Sequence, residues 1–205
     1  MGTWRHTYRI EGEDRIDGRS HPIFINNGGY YFLSTLVVFA DGRLACPEPF
    51  DLDGLRERLA SGQLTTEVPP GARVSLTGLA HWTVAEQTSH VTAEGLVLEV
   101  LDQIEALAGR PTSSQRCLQA AEDFLAHPDE AHRDALRAAY LAIPAHERRY
   151  VLGDMDLKDR PLRVLITAPG GEIDGRPVTP KDYAQATAYF AERKQWAAAR
   201  ESTPE

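Results

Sequence analysis

The chain opens on alternation. TWRHTYRI, residues 3–10, sets apolar and aromatic positions against polar ones at a spacing of two, the pattern of a strand with one covered face. Asp17-Gly18, within EGEDRIDGRSHP, suits a tight reversal, so a turn between two strands is expected there. HPIFI pairs naturally with YYFLSTLVVFA, because Asn26-Asn27-Gly28-Gly29 between them all tolerate positive φ and make a hairpin turn. Asp41-Gly42 gives the next turn and RLACPE the returning strand, so three or four antiparallel strands are predicted. FDLDGLRERLASG breaks the alternation. Asp51 is placed to cap a short helix, Leu52, Leu55 and Leu59 fall on one face, and Gly62 follows as a stop. RVSLTGLAHWTVAE then returns to β character, with Val74, Leu76 and Leu79 set against polar positions.

From Thr92 the period becomes helical. TAEGLVLEVLDQIEAL puts Val97, Val100, Leu101 and Ile104 on one face, capped at Thr92 and ended by Gly109 and Pro111. A second helix starts near Ser113 or Ser114, carries Cys117, Leu118, Ala121, Phe124 and Leu125, and stops before Pro128. A third runs from about Asp129 with Ala135, Leu136, Ala139, Tyr140 and Ile143 inward, closing at Pro144. PAHERRYVL reads as another short helix. The last is TPKDYAQATAYFAERKQWAAARE, with Thr179 as cap, Pro180 in the first turn, and Tyr183, Ala186, Phe190 and Ala197 in a stripe. The fold class predicted is α+β. Residues 1–90 form an antiparallel β-rich region with one helix, a curled sheet or barrel, and residues 91–205 a mainly helical region packed on that sheet as one unit. Ile16-Asp17-Gly18-Arg19 and Ile173-Asp174-Gly175-Arg176 are identical tetrapeptides, which two hairpin-type turns explain without a domain duplication.

Composition is that of an ordinary globular chain: 205 residues, 42% hydrophobic and 25% charged. The formal charge of −8, from 22 basic and 30 acidic residues without a long block of either sign, argues against general attraction to nucleic acid or anionic membrane. A local basic groove stays open. Lysine is confined to Lys158, Lys181 and Lys194, and this with the many alanines suggests a GC-rich bacterial genome. Cys46 and Cys117 fit neither a C-x-x-C motif nor a disulfide scaffold and read as buried thiols. The amino terminus lacks the apolar core of a signal peptide and no apolar run reaches membrane-span length, so a cytoplasmic protein is expected.

Candidate chemistry is sparse. Asp154, Asp156 and Asp159 have a D-x-D-x-x-D spacing that offers oxygen ligands, but the loop lacks the glycine and terminal glutamate of an EF-hand and contains Lys158 and Arg160. The simpler reading is a capped connection whose basic neighbours pair with the carboxylates; the alternative is a polar contact site for a partner or ligand. Seven histidines form no metal-binding spacing. His81 and His90 flank Trp82, and this aromatic between two imidazoles is the arrangement that would line a pocket, set against Trp82 as a plain core residue. No nucleophile elbow, P-loop or dinucleotide fingerprint is present, so no catalytic residue, no metal and no cofactor is assigned. Asn26 to Gly29 as an anion nest is weaker than the hairpin turn. The aromatic edge of Tyr30, Tyr31, Phe32, Phe39, Trp4 and Tyr8 must be covered on one face, by helices of the same chain or by a partner.

HPIFINNGGYYFLSTLVVFADGRLAC, LASGQLTTEVPPGARVS, GRPTSSQRCLQAAEDFLAHPDE and YLAIPAHERRYVLGDMDLKDRPLRVLI together resemble an uncharacterised actinobacterial family, similar to the segment preceding the catalytic domain in some proteins of the NADAR class. The likeness covers most of residues 3–195 and transfers no catalytic assignment. It implies a link to nucleotide or ADP-ribose biology by association, with the catalytic domain that follows in such proteins missing from this chain. The leading expectation is a non-catalytic binding or accessory module beside a nucleotide-processing enzyme, contacting a protein partner or a nucleotide-type small molecule through His81, Trp82, His90, Asp154, Asp156, Asp159 or Tyr30. The alternatives are a small hydrolase or N-glycosidase using one of those aspartates with His81 or His90, and a self-associating structural protein.

Overall fold

The computed structural model describes residues 4–86, 91–153, 156–168 and 170–201, with side chains as far as residue 195. The chain is α+β and divides into two units, residues 1–112 and 113–205.

Unit 1 is built on two successive hairpins of β1 (Arg5–Glu11), β2 (Asp14–Asn27) and β3 (Tyr30–Phe39). The first reversal is Gly12-Glu13, with Gly12 at φ +64°, and not the Asp17-Gly18 expected from sequence. Asp17 and Gly18 lie extended within β2. Gly18 is there for space: it sits across from Phe39, and a Cβ on it would come 2.8 Å from the Phe39 ring and 2.9 Å from the Val38 carbonyl. The second reversal is the one predicted, with Gly28 and Gly29 at φ +60° and +91° and the Gly29 N–H donating to Asn26 Oδ1 at 2.9 Å.

Five short strands complete the sheet: β4 (Leu44–Ala45), β5 (Pro49–Phe50), β6 (Leu64–Thr65), β7 (Arg73–Leu76) and β8 (Ala80–Thr83). The long β2 carries β1 and then β6 along its outer edge. β3 carries β4 and a parallel β7, and β8 returns antiparallel to β7. β1 and β8 do not pair, so the sheet stays open and the expected barrel does not form. Leu79 sits in the exposed β7–β8 turn, so the alternation of Val74 and Leu76 ends before it.

Helices α1 (Leu52–Ala60) and α2 (Ala93–Leu107) belong to this unit. Asp51 accepts the Gly54 N–H at 2.8 Å and Thr92 the Gly95 N–H at 3.0 Å, so both predicted caps form. Leu96 and Val100 of α2 join Ile23, Leu36, Val38, Leu44, Leu55 and Leu64 in one core. Each fully buried side chain of this kind contributes about 2 kcal/mol. That burial ties α2 to the sheet and moves the boundary from the expected 90/91 to 112/113. The buried face of α2 also differs from the expected one: it holds Leu96, Glu99 and Asp102 beside Val100, while Val97, Leu101 and Ile104 are half-buried. Polar ties cross from sheet to helix here. The Trp4 indole donates to Glu99 Oε2 at 3.1 Å and Arg19 donates to Gln103 Oε1 at 2.6 Å.

Unit 2 contains α3 (Ser113–Ala126), α4 (Glu130–Leu141), α5 (Arg160–Ile166), the hairpin β9 (Glu172–Ile173) and β10 (Arg176–Pro177), and α6 (Pro180–Glu201). It has a core of its own, drawn from Cys117, Phe124, Leu136, Ile143, Leu162, Leu165 and Phe190. The helices from α3 onward thus form around an interior of their own. PAHERRYVL gives only one 3-10 turn, Arg148–Tyr150, and the apolar RPLRVLI is helix α5. Arginines cover exposed helix-end carbonyls: Arg148 donates to Leu141 and Ile143, and Arg137 to Ile166. No helix among the described residues is long and apolar enough to cross a membrane.

Candidate functional site

A concavity in unit 1 has a volume of about 530 Å³ and is lined by residues of β2, of the stretch after β6, and of β8 and the residues after it. Its lining includes His21, Ile23, Phe24, Val68, Trp82 and Glu86. This falls within the roughly 300–1,000 Å³ range of small-molecule sites. Trp82 is 40% exposed, so its indole is a wall with an open side.

His21 is held on two sides. Its ring lies tilted against Trp4 with centroids 4.9 Å apart, and its Nδ1 lies 2.7 Å from the Pro22 carbonyl. A carbonyl can only accept, so Nδ1 is the donor of this contact. Trp4 is fixed in turn by the buried Glu99, which makes the order Glu99, Trp4, His21 a chain of contacts running from α2 to the cleft wall. His21 and Glu86 are the ionisable groups among the lining residues, which include no lysine or arginine. Among the described residues, the lining thus offers no lysine or arginine to a phosphate.

Of the residues singled out from sequence, the structure brings Trp82 into this cleft. His81 is its neighbour on β8 and is exposed, but alternation sends it to the opposite face of the strand and it does not line the hollow. Tyr30 stands at the tip of the β2–β3 hairpin, 62% exposed and away from the cleft. His90 and Asp154 lie outside the described residues. Asp156 and Asp159 belong to unit 2, whereas His81 and Trp82 belong to unit 1.

Asp159 has an identifiable task. It stands immediately before α5, and its Oδ2 accepts the Tyr140 hydroxyl at 2.6 Å. Burial and that hydrogen bond to a carboxylate push the Tyr140 hydroxyl's pKa up, so it remains a donor. The loop is thus tied to α4 through a tyrosine, and Asp159 makes no capping hydrogen bond to α5. Arg160 does not pair with the loop's carboxylates as expected but reaches Asp182 at 2.9 Å, and Arg163 of α5 holds Asp174 at 2.6 and 3.0 Å. Asp156 and Asp159 join no group of metal-ligating side chains among the described residues. Neither thiol is poised as a nucleophile, since burial raises Cys46 and pushes Cys117 up to about 12.

The comparisons divide the chain where the packing does. Residues 6–111 match the family model of a domain of unknown function, DUF7638, over half the chain. The chain belongs to the DUF7638 family. Residues 112–201 match a second domain of unknown function, DUF7639. The DUF7638 segment is unit 1 with its cleft, and its limit at 111 falls one residue from the division by packing. No curated protein and no solved structure matches the chain.

Sequence reasoning missed His21, Glu99 and the Trp4 indole as parts of one assembly. The signal available was the spacing of Leu96, Glu99, Val100 and Gln103, which lays a carboxylate and an amide along the helix face that meets the sheet.

Proposed function

We propose that this chain is a non-catalytic binding module, with the unit 1 cleft as its small-ligand site and a bacterial nucleotide- or ADP-ribose-processing system as its setting. The observation that carries the reading is the cleft itself: a hollow of ligand size whose lining includes a half-exposed indole and an oriented imidazole. The nucleotide setting rests on the family resemblance alone. The cleft supports a finer reading: its described lining, which holds no lysine or arginine, would take a base or another flat neutral ring and leave a diphosphate in solvent.

A thermal-shift and calorimetric series with adenosine, nicotinamide, ADP-ribose and NAD tests this, because a ligand that binds only the native state raises the unfolding midpoint. The expected result is similar stabilisation by the nucleoside and by its phosphorylated forms, lost in Trp82→Ala with the fold intact. Turnover of NAD or ADP-ribose by the purified chain would overturn the non-catalytic reading. Binding that ignores Trp82→Ala would remove the cleft from it.

A further inference from the structure

Strand β1 stands at one end of the unit 1 sheet and pairs with β2 alone among the described residues. The register shows which of its backbone groups are unused. Asp17, opposite Tyr8, turns its carbonyl the other way, to the Ala40 N–H at 3.0 Å. The Tyr8–Asp17 pair is therefore the non-hydrogen-bonded kind, and the N–H and C=O of Tyr8 point away from β2. Alternation points those of His6 and Ile10 the same way, so the edge presents three donors and three acceptors.

The same three residues share a sheet face with His21, Leu36 and Val38, by the row in which Arg19 faces His6 on one side and Val38 on the other. That face is the one α2 covers around Leu36 and Val38. It is covered only in part at β1, where the Arg15 guanidinium lies 4.5 Å from the centre of the Tyr8 ring and Tyr8 is still 56% and Ile10 61% exposed. A long edge strand with exposed apolar side chains is a template for another strand.

The sequence of β1 says which strand. Read antiparallel to itself about Tyr8, RHTYRIE sets Tyr8 against Tyr8, His6 against Ile10 and Arg5 against Glu11. The Arg5 guanidinium makes no hydrogen bond or ion pair among the described residues, and the Glu11 side chain is half-exposed while holding Arg9 and Arg43. Other registers are worse. Centring on Thr7 sets Arg5 against Arg9, and parallel in-register pairing sets every arginine against itself, both repulsive across a ladder.

We propose that the chain self-associates through β1, two copies adding antiparallel about Tyr8 so that their unit 1 sheets become one. The outward backbone groups of His6, Tyr8 and Ile10 close the ladder, the two Tyr8 side chains cover each other, and Arg5 of each copy meets Glu11 of the other. The partner is a second copy because the charge order of the strand is complementary to its own reverse.

Sedimentation of the full chain over a range of concentrations tests this, with a dimer as the expected result. Tyr8→Pro removes an outward N–H and leaves the β1–β2 ladder intact, a place where an edge strand tolerates proline. It is expected to sediment as a monomer with unchanged far-UV circular dichroism. Arg5→Glu alone and Glu11→Arg alone each put like charges opposite at both ends of the ladder and should weaken association roughly tenfold. Mixing these two variants sets opposite charges at both ends again and should restore it. If Tyr8→Pro fails to fold, the charge pair decides alone. A wild-type chain that is monomeric throughout overturns the proposal, and so does a dimer whose affinity ignores the charge changes.

Discussion

Ile16-Asp17-Gly18-Arg19 runs extended through the middle of β2, while the identical Ile173-Asp174-Gly175-Arg176 turns the chain back between β9 and β10. The four residues have one set of propensities and two conformations, so neighbours decide. At the first site the reversal has already happened at Gly12-Glu13, which fixes a register that leaves β1 on one side of the tetrapeptide and β3 on the other. Phe39 then lies over the glycine. At the second site the strands are two residues long, Asp174 and Gly175 take φ +52° and +72°, and Arg163 grips the aspartate with two hydrogen bonds. Asp-Gly is a strong turn signal only where no longer ladder competes for it.

The largest test of that contrast is at the two glycines. Gly18→Val would drive a side chain into Phe39 and the Val38 carbonyl, and a loss of about 3 kcal/mol is expected in urea unfolding. Gly175→Ala meets open space and bears only the left-handed backbone, about 1 kcal/mol. Equal losses would mean that Gly18 is not held by close packing. The aspartates should separate by less. Asp174→Ala removes both a side chain tolerant of the left-handed conformation and the Arg163 clamp, so it should lower the midpoint more than Asp174→Asn, which keeps the first. Asp17→Ala, which releases an exposed contact with Arg15, should lower it least.

Acid titration gives the smallest and most specific signal. Arg163 holds the Asp174 carboxyl below its ordinary 3.8, and Thr179 with Arg160 holds Asp182 at about 2. A carboxyl depressed in the folded state stabilises above its unfolded pKa and loses that contribution as pH falls through the folded one. The loss belongs to the window from about pH 4 down to 2, and Asp174→Asn or Asp182→Asn should flatten the stability curve there. A curve unchanged by either substitution would show that these pairs are too well solvated to matter.

What could be read from sequence follows the same division between local and distant causes. The Asn26–Gly29 turn, the caps at Asp51, Thr92 and Thr179, and helices α3 and α4 were legible because each depends on residues within one turn or one helix. The start of β2 was not, since it depends on pairing with both neighbours. Helix α5 was hidden because RPLRVLI is too short and too apolar to show a period. The cleft was legible only in Trp82. Its walls come from positions near 21, 68 and 86, which no local pattern links, and the role of Asp159 appears only with Tyr140, nineteen residues away, beside it.

Trp82 is also an optical instrument that the fold has already installed. Indole emission follows the polarity around the ring, and this ring stands with much of its surface in water at the mouth of the cleft. A molecule that covers it should shift its light to the blue, while Trp4, clamped between His21 and Glu99, keeps its colour. Occupancy of the cleft can therefore be watched without attaching any dye.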